Sequence, residues 1–247
     1  MAIGDGGGAC VFAWGSNEDG QLGLCDFDDR ADPEQLPLPE ESQVAVVTCG
    51  GDMSLLLLAD GMVWSCGSNA QSQLGHGSAA QDDNCCEMRP VLLPSDVQAL
   101  VQVACGGSHC VATTEDGRML TWGDREGGRL GRARRRRKMS DLEHMAPAVV
   151  ETLEEEHVKV VGAASHHNVA LTTKGALWVW GSLCGAVQPL PIEVRPPTDD
   201  PLFERHFVQA CVTEWFTLVG VTVLPGAHAR EAASPGKPAM RARRDTL

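Results

Sequence analysis

Apolar residues fall in short bursts along this chain, each closed by glycine, aspartate or proline. Val11-Phe12-Ala13-Trp14-Gly15, Val63-Trp64-Ser65-Cys66-Gly67, Met119-Leu120-Thr121-Trp122-Gly123 and Leu177-Trp178-Val179-Trp180-Gly181 all end on a glycine. Before the last three stand a second burst and a tight break: Asp60-Gly61, Asp116-Gly117 and Lys174-Gly175. Apolar or β-branched runs on either side of such a pair predict β-hairpins, because glycine accepts the positive φ of a tight turn. Further strands are predicted at Val44–Val47, Leu100–Ala104, Val158–Val161 and Phe207–Ala210, each following a proline-bearing stretch. No long stretch carries the period of an amphipathic helix. Asp141–Val158 comes nearest, but Pro147 inside it makes it a connector.

The bursts repeat in register. The four closing glycines are 52, 56 and 58 residues apart. Eight residues after the first three stands another, in Gly20-Gln21-Leu22-Gly23, Ser72-Gln73-Leu74-Gly75 and Gly128-Arg129-Leu130-Gly131; the fourth copy has Pro189 there. A third landmark reads Thr48-Cys49-Gly50-Gly51-Asp52-Met53, then Ala104-Cys105-Gly106-Gly107-Ser108-His109, then Gly162 to His167, and finally Ala210 to Trp215. About four short strands per period define the blades of a β-propeller. The chain therefore reads as all-β, with about four units at roughly 9–51, 52–107, 108–165 and 166–224. Residues 225–247, small, polar and basic, read as a disordered tail. Within a unit, Phe12, Trp64, Leu120 and Trp178 share one position, and Trp14, Cys66, Trp122 and Trp180 share another two residues on. Residues two apart on a strand face the same side, so each blade offers a bulky pair to its neighbour. Cys66, in a tryptophan slot, reads as core filler, as do Cys49, Cys105 and Cys211 at what reads as one common position.

These landmarks resemble the repeat of the regulator of chromosome condensation family, from about Val11 to Leu224. Its unit is marked by Ala/Cys-Gly-Gly-x-His, Asp-Gly, Trp-Gly and Gly-Gln-Leu-Gly, which Ala104–His109, Asp116-Gly117, Trp122-Gly123 and Gly128–Gly131 match. The resemblance implies a propeller, usually of seven blades, which at this period takes on the order of 385 residues. Its members include nucleotide exchange factors, photoreceptors, ciliary scaffolds and ubiquitin-ligase accessory regions. Only four units are present here, and nothing like Ser108–Thr114 precedes Val11. Trp215–Leu224 is therefore expected to pair beside Val11–Trp14 and complete the first blade. Failing that, the chain is an open arc whose exposed strand edges and apolar faces predict a partner or self-association.

Charge refines the picture. The chain has 33 acidic and 20 basic residues, which argues against a generally basic nucleic-acid-coating protein. The bases concentrate in a loop after Gly131 (Arg132, Arg134, Arg135, Arg136, Arg137, Lys138) and in the tail, leaving an acidic body. The loop is a candidate for nuclear import or for binding nucleic acid, chromatin or a protein partner. The Asp26-Phe27-Asp28-Asp29 loop reads as solvated. His109 and His167 share a slot with Met53 and Trp215, which marks packing, and His166 and His167 point to opposite faces, a poor chelate. No nucleophile elbow, phosphate-cradling loop or zinc spacing occurs. No cofactor, metal site or catalytic group is expected. No signal peptide or bilayer-spanning run is visible, so a location inside the cell, cytoplasmic or nuclear, with reduced thiols is expected. The functional expectation is a non-enzymatic scaffold that binds a protein partner; the alternative is an exchange factor for a Ran-type small GTPase.

Overall fold

The computed structural model describes residues 2–4, 10–39, 42–77, 84–97, 99–133, 146–183, 185–195, 203–212 and 217–225. Their strands form successive antiparallel meanders. Blade 1 joins β1 (Ala2–Gly4), β2 (Cys10–Gly15) and β3 (Arg30–Gln35). Blade 2 is β4 (Val44–Gly50), β5 (Met53–Leu58), β6 (Val63–Gly67) and β7 (Cys85–Pro90). Blade 3 is β8 (Leu100–Cys105), β9 (His109–Thr114), β10 (Met119–Gly123) and β11 (Ala148–Val149). Blade 4 is β12 (Val158–Ala163), β13 (His167–Thr172), β14 (Leu177–Leu183) and β15 (Ala186–Val194). A hairpin of β16 (Phe203–Val212) and β17 (Thr217–Pro225) follows and packs against β12 and β13. The fold is an all-β propeller arc. The sheets of blades 2 and 3 open with the strand before the Gly-Gly turn, and that of blade 4 with the strand before the corresponding Ala164-Ser165 turn, so each of these blades joins the last strand of one sequence unit to the next unit's first three.

The apolar cores lie between blades. Val11, Leu36, Val44, Leu56, Leu58, Cys66 and Met88 join blades 1 and 2. Leu55, Leu57, Leu74, Val103, Cys110 and Trp122 belong to the larger cluster joining blades 2 and 3. Val111, Met119, Leu153, Val158, Ala170 and Trp180 join blades 3 and 4. Alternation produces this. Val11 and Ala13 turn to blade 2 and are buried, whereas Phe12 and Trp14 turn the other way. The Gly-Gly turns nest similarly: a Cβ on Gly50 would stand 2.7 Å from Cys105 Cβ, and one on Gly106 would stand 2.6 Å from the Ala164 carbonyl oxygen.

Three expectations are overturned. Closure by the C-terminal strand is not made, because both edges of β2 are occupied, by β1 over Cys10–Phe12 and by β3, while β17 pairs with β16. Blade 1 thus has a short opening strand of its own, Ala2-Ile3-Gly4, and the chain is an arc. Secondly, Cys211 does not share the place of Cys49 and Cys105. Those residues pair with Ser54 and Cys110, five residues on, whereas Cys211 pairs with Leu218, seven residues on, and Val212 takes the five-residue pairing with Thr217. Thirdly, Cys105 is buried as core filler but Cys49 is exposed, because it stands on the outer face of β4. Trp215 and residues 226–247 lie outside the described residues.

Candidate interaction surface

The loop after each Trp-Gly step positions both the joints between blades and the exposed surface. Its start is a β-bulge: the ladder shifts register between Ala13 and Gly15, Ser65 and Gly67, and Val179 and Gly181. A bulge re-aims the side chain it carries, here Trp14, Cys66 and Trp180. The glycine after it has φ near +100° (Gly15 108°, Gly67 112°, Gly123 95°, Gly181 104°), a backbone open to glycine alone at little cost.

The re-aimed side chain reaches back to the previous blade. Trp122 Nε1 donates to the Gln73 carbonyl at 2.9 Å, and Trp180 Nε1 to the Arg129 carbonyl at 2.9 Å. Cys66 Sγ makes a weaker version to the Gln21 carbonyl at 3.4 Å. The same three carbonyls each accept a second donor, from equivalent places on the next blade: Ser54 Oγ at 2.7 Å, Cys110 Sγ at 3.5 Å and Asn168 Nδ2 at 2.7 Å. The Gly-Gln-Leu-Gly loop therefore serves to present one backbone oxygen to its neighbour. Trp122 and Trp180 are wholly buried, while Trp14, with no blade before it, is 44% exposed.

The loops are braced in different ways. Asn17 Oδ1 accepts from the Leu22 amide at 2.9 Å, and Asn69 Oδ1 from the Leu74 amide at 3.2 Å. In blade 3 that asparagine is Arg125; there Asp124 accepts from the Glu126 amide at 2.8 Å, and buried Arg129 forms an ion pair with Asp124. Burial draws the Arg129 pKa down. His109 lies at the joint of blades 3 and 4. Asn168 turns its amide nitrogen to the Arg129 carbonyl, so its Oδ1 accepts from His109 Nε2–H at 2.7 Å. Burial pulls the His109 pKa down to about 4. His167 is likewise buried and its pKa lowered, and His166 is exposed on the other face.

The outer parts of these loops differ in chemistry. Blade 1 presents exposed Phe27 and the acidic Asp26, Asp28 and Asp29. Arg30 contacts Asp26 at 2.5 Å and holds its carboxyl below the usual range. In blade 3 the chain leaves at Ala133 and returns at Ala146, and Arg132 Nη1 donates to the Ala146 carbonyl at 3.2 Å, fastening the two feet. Arg134, Arg135, Arg136, Arg137 and Lys138 lie outside the described residues. Around the Asp-Gly turns the contrast recurs. The pocket by Asp60 is lined by Leu58, Met62 and Trp64, and its counterpart by Asp116 is lined by Asp96, Glu115 and Arg118. Among the described residues no group of three or more His, Cys, Asp or Glu side chains could hold a metal ion, and no helix is long and apolar enough to cross a membrane.

Comparison with known proteins agrees with this architecture. The family model for the regulator of chromosome condensation repeat matches residues 9–57, 60–113 and 116–171, and the chain belongs to that family. It is 35% identical over 181 residues to the ultraviolet-B receptor of Arabidopsis thaliana, covering 70% of this chain and 38% of the receptor. It is 30% identical over 205 residues to the secretion-regulating guanine nucleotide exchange factor of Bos taurus, covering 77% of this chain and 41% of that protein. The crystal structure of Prp20p from Saccharomyces cerevisiae superposes with a TM-score of 0.72 at 22% identity, over 91% of this chain and 54% of Prp20p. The chain thus spans less than half the length of these curated relatives.

Proposed function

We propose that this chain is a non-enzymatic protein-interaction scaffold whose partners bind the loops at the blade edges. One observation carries the reading: positions alike from blade to blade lie at the joints, whereas equivalent outer positions differ in charge and polarity. The acidic loop of blade 1, the apolar pocket by Asp60 and the charged pocket by Asp116 occupy a repeated framework with different chemistry. In this reading residues 1–224 form the propeller, with Trp14, Trp64, Trp122, Trp178, Trp180 and the repeat glycines as its framework. Residues 225–247 form a basic tail, and Arg132 to Lys138 a basic loop that docks an acidic partner or supports nuclear entry.

A second reading, exchange on a Ran-type small GTPase, has support in the 30% identity to a guanine nucleotide exchange factor. It is also supported by the fold shared with Prp20p, whose structure is described with its binding to Gsp1p and histones. Exchange asks for loops that displace phosphate and metal, with no acid–base group. A nucleotide-release assay with purified chain and a panel of small GTPases decides between the two. The scaffold reading expects release at the spontaneous rate; stimulated release overturns it in favour of exchange. Replacing Arg134–Arg137 by alanine should remove nuclear signal from a tagged chain, and an unchanged distribution would remove the import role.

A further inference from the structure

Two free thiols meet where the loop of blade 1 touches the outer strand of blade 2. Cys25 lies between β2 and β3 and is exposed; Cys86 lies in β7 and is half-buried. They are 61 residues apart in sequence. The backbone sets them side by side. Leu24 and Glu87 form an antiparallel bridge, so the next step along it brings Cys25 opposite Cys86, and the Cys25 amide donates to the Cys86 carbonyl at 2.7 Å. Hydrogen-bonded residues opposed in this way have Cα atoms about 5.5 Å apart, inside the roughly 4.4–6.8 Å that a disulfide spans.

The register is held from the other side as well. Asn84 Nδ2 donates to Asp19 Oδ1 at 2.6 Å, and Gly20 lies so close that a Cβ on it would stand 2.6 Å from Cys86 Cα. Burial raises the Cys86 thiol pKa, and the nearby Cys85 and Cys25 thiols raise it further. Cys85, one step along β7, turns to the opposite face; it is buried there and donates to the Glu87 carbonyl at 3.2 Å.

The choice of residues points the same way. Cys25 has φ of 69°, a left-handed backbone that a side chain adopts at a cost. The corresponding residue of blade 2, two after the last glycine of its loop motif, is Gly77, with φ of 80°. At the joint of blades 3 and 4, Gly128 abuts Pro189 as Gly20 abuts Cys86, and the places of the two cysteines hold Ala133 and Pro189. The thiol pair is particular to the joint of blades 1 and 2.

We propose that Cys25 and Cys86 are a redox-sensitive thiol pair that closes into a disulfide between blades 1 and 2, with a small disulfide such as oxidised glutathione as the oxidant. The Cys25 thiolate attacks one sulfur of that disulfide, forming a mixed disulfide and expelling one glutathione thiolate. Cys86, its proton given to solvent, then attacks the Cys25 sulfur and expels the second. Two protein thiols are oxidised, and one glutathione disulfide is reduced to two thiols. The bond fixes to blade 2 the foot of the loop that carries Asp26, Phe27, Asp28 and Asp29. It forms whichever partner that loop binds.

The test is disulfide mapping of the full chain, reduced first, then exposed to oxidised glutathione and digested without reductant. Fragment masses should show Cys25 joined to Cys86 as the main disulfide within the protein. Unfolding in urea before exposure should lower its yield about 10-fold or more, because the fold is what holds the two sulfurs together. Cys86→Ser should leave glutathione attached to Cys25, whereas Cys85→Ser should keep the bond between Cys25 and Cys86. Circular dichroism checks that each variant is folded; Cys86→Ala or Cys85→Ala replaces one that is not. A chain without the link, Cys25 joined instead to Cys10, Cys49 or Cys85, or a yield unchanged in urea overturns the proposal.

Discussion

Trp14 and Trp180 occupy the same repeat position, on the same bulge before the same kind of glycine, yet one is 44% exposed and the other wholly buried. The local sequence cannot account for the difference, since both strands carry it. What differs is the blade before them. Trp180 has a carbonyl from blade 3 to meet, and Trp14 is the first of its series. A propeller residue therefore gains its stabilising role from its neighbour as much as from its own strand, as expected where repeat stability is mostly interface.

The largest effect should follow from truncating the two. Trp180→Ala removes a buried indole and its hydrogen bond, and should cost about 3–5 kcal/mol; Trp14→Ala should cost under about 1 kcal/mol. Denaturant unfolding of both variants reads the contrast. Equal losses would mean that Trp14 is held by contacts of its own.

Next comes the loop bracing. Arg129 and Asp124 stand where blades 1 and 2 have glutamine (Gln21, Gln73) and serine (Ser16, Ser68). Arg129→Gln alone leaves the Asp124 carboxylate buried without its cation and should cost about 3 kcal/mol. The double variant Arg129→Gln/Asp124→Ser copies the neighbouring loops and should recover most of that loss, as a coupled pair does in a double-mutant cycle. Additive losses in chemical denaturation would show that the pair is not coupled.

The blades were legible because glycine, tryptophan and hairpin turns recur in register, and repeated geometry needs repeated residues. The fourth strands were harder. Arg30–Gln35 is exposed almost throughout, so it carries no alternation to read. Ala2-Ile3-Gly4 is too short to carry any signature, and its presence beside β2 is what defeats closure by the C-terminal strand. At the candidate surface, composition revealed the basic loop, but the Arg132–Ala146 link that fastens its feet joins residues 14 apart and has no mark in sequence. The carbonyl latch was equally hidden, because its acceptor is backbone and the same for any side chain.

A pH series sharpens the contrast between blade joints. The slot of His109 holds Met53 in blade 2, so the joint of blades 3 and 4 has a proton-sensitive contact where the corresponding residue in blade 2 cannot titrate. With its pKa lowered from 6.5 to about 4 in the folded chain, His109 is more readily protonated when unfolded. Its contribution is complete above pH 6.5 and is lost as pH falls toward 4, by about 2 kcal/mol at pH 5. His167, also lowered, adds in the same direction. His109→Gln should flatten stability against pH between 6.5 and 4. A slope unchanged by the substitution would move the sensitivity elsewhere.

The smallest expected effect returns to the head of the arc. Gly15→Ala and Gly67→Ala impose the same backbone strain, because φ is 108° at one and 112° at the other. They differ in what the new methyl meets: at Gly67 the Met53 Cα, 2.7 Å away, and at Gly15 nothing within 4 Å. The difference between the two variants therefore isolates the crowding, and should be on the order of 1 kcal/mol or more against Gly67→Ala. Equal losses in chemical denaturation would mean that both glycines answer to backbone strain alone.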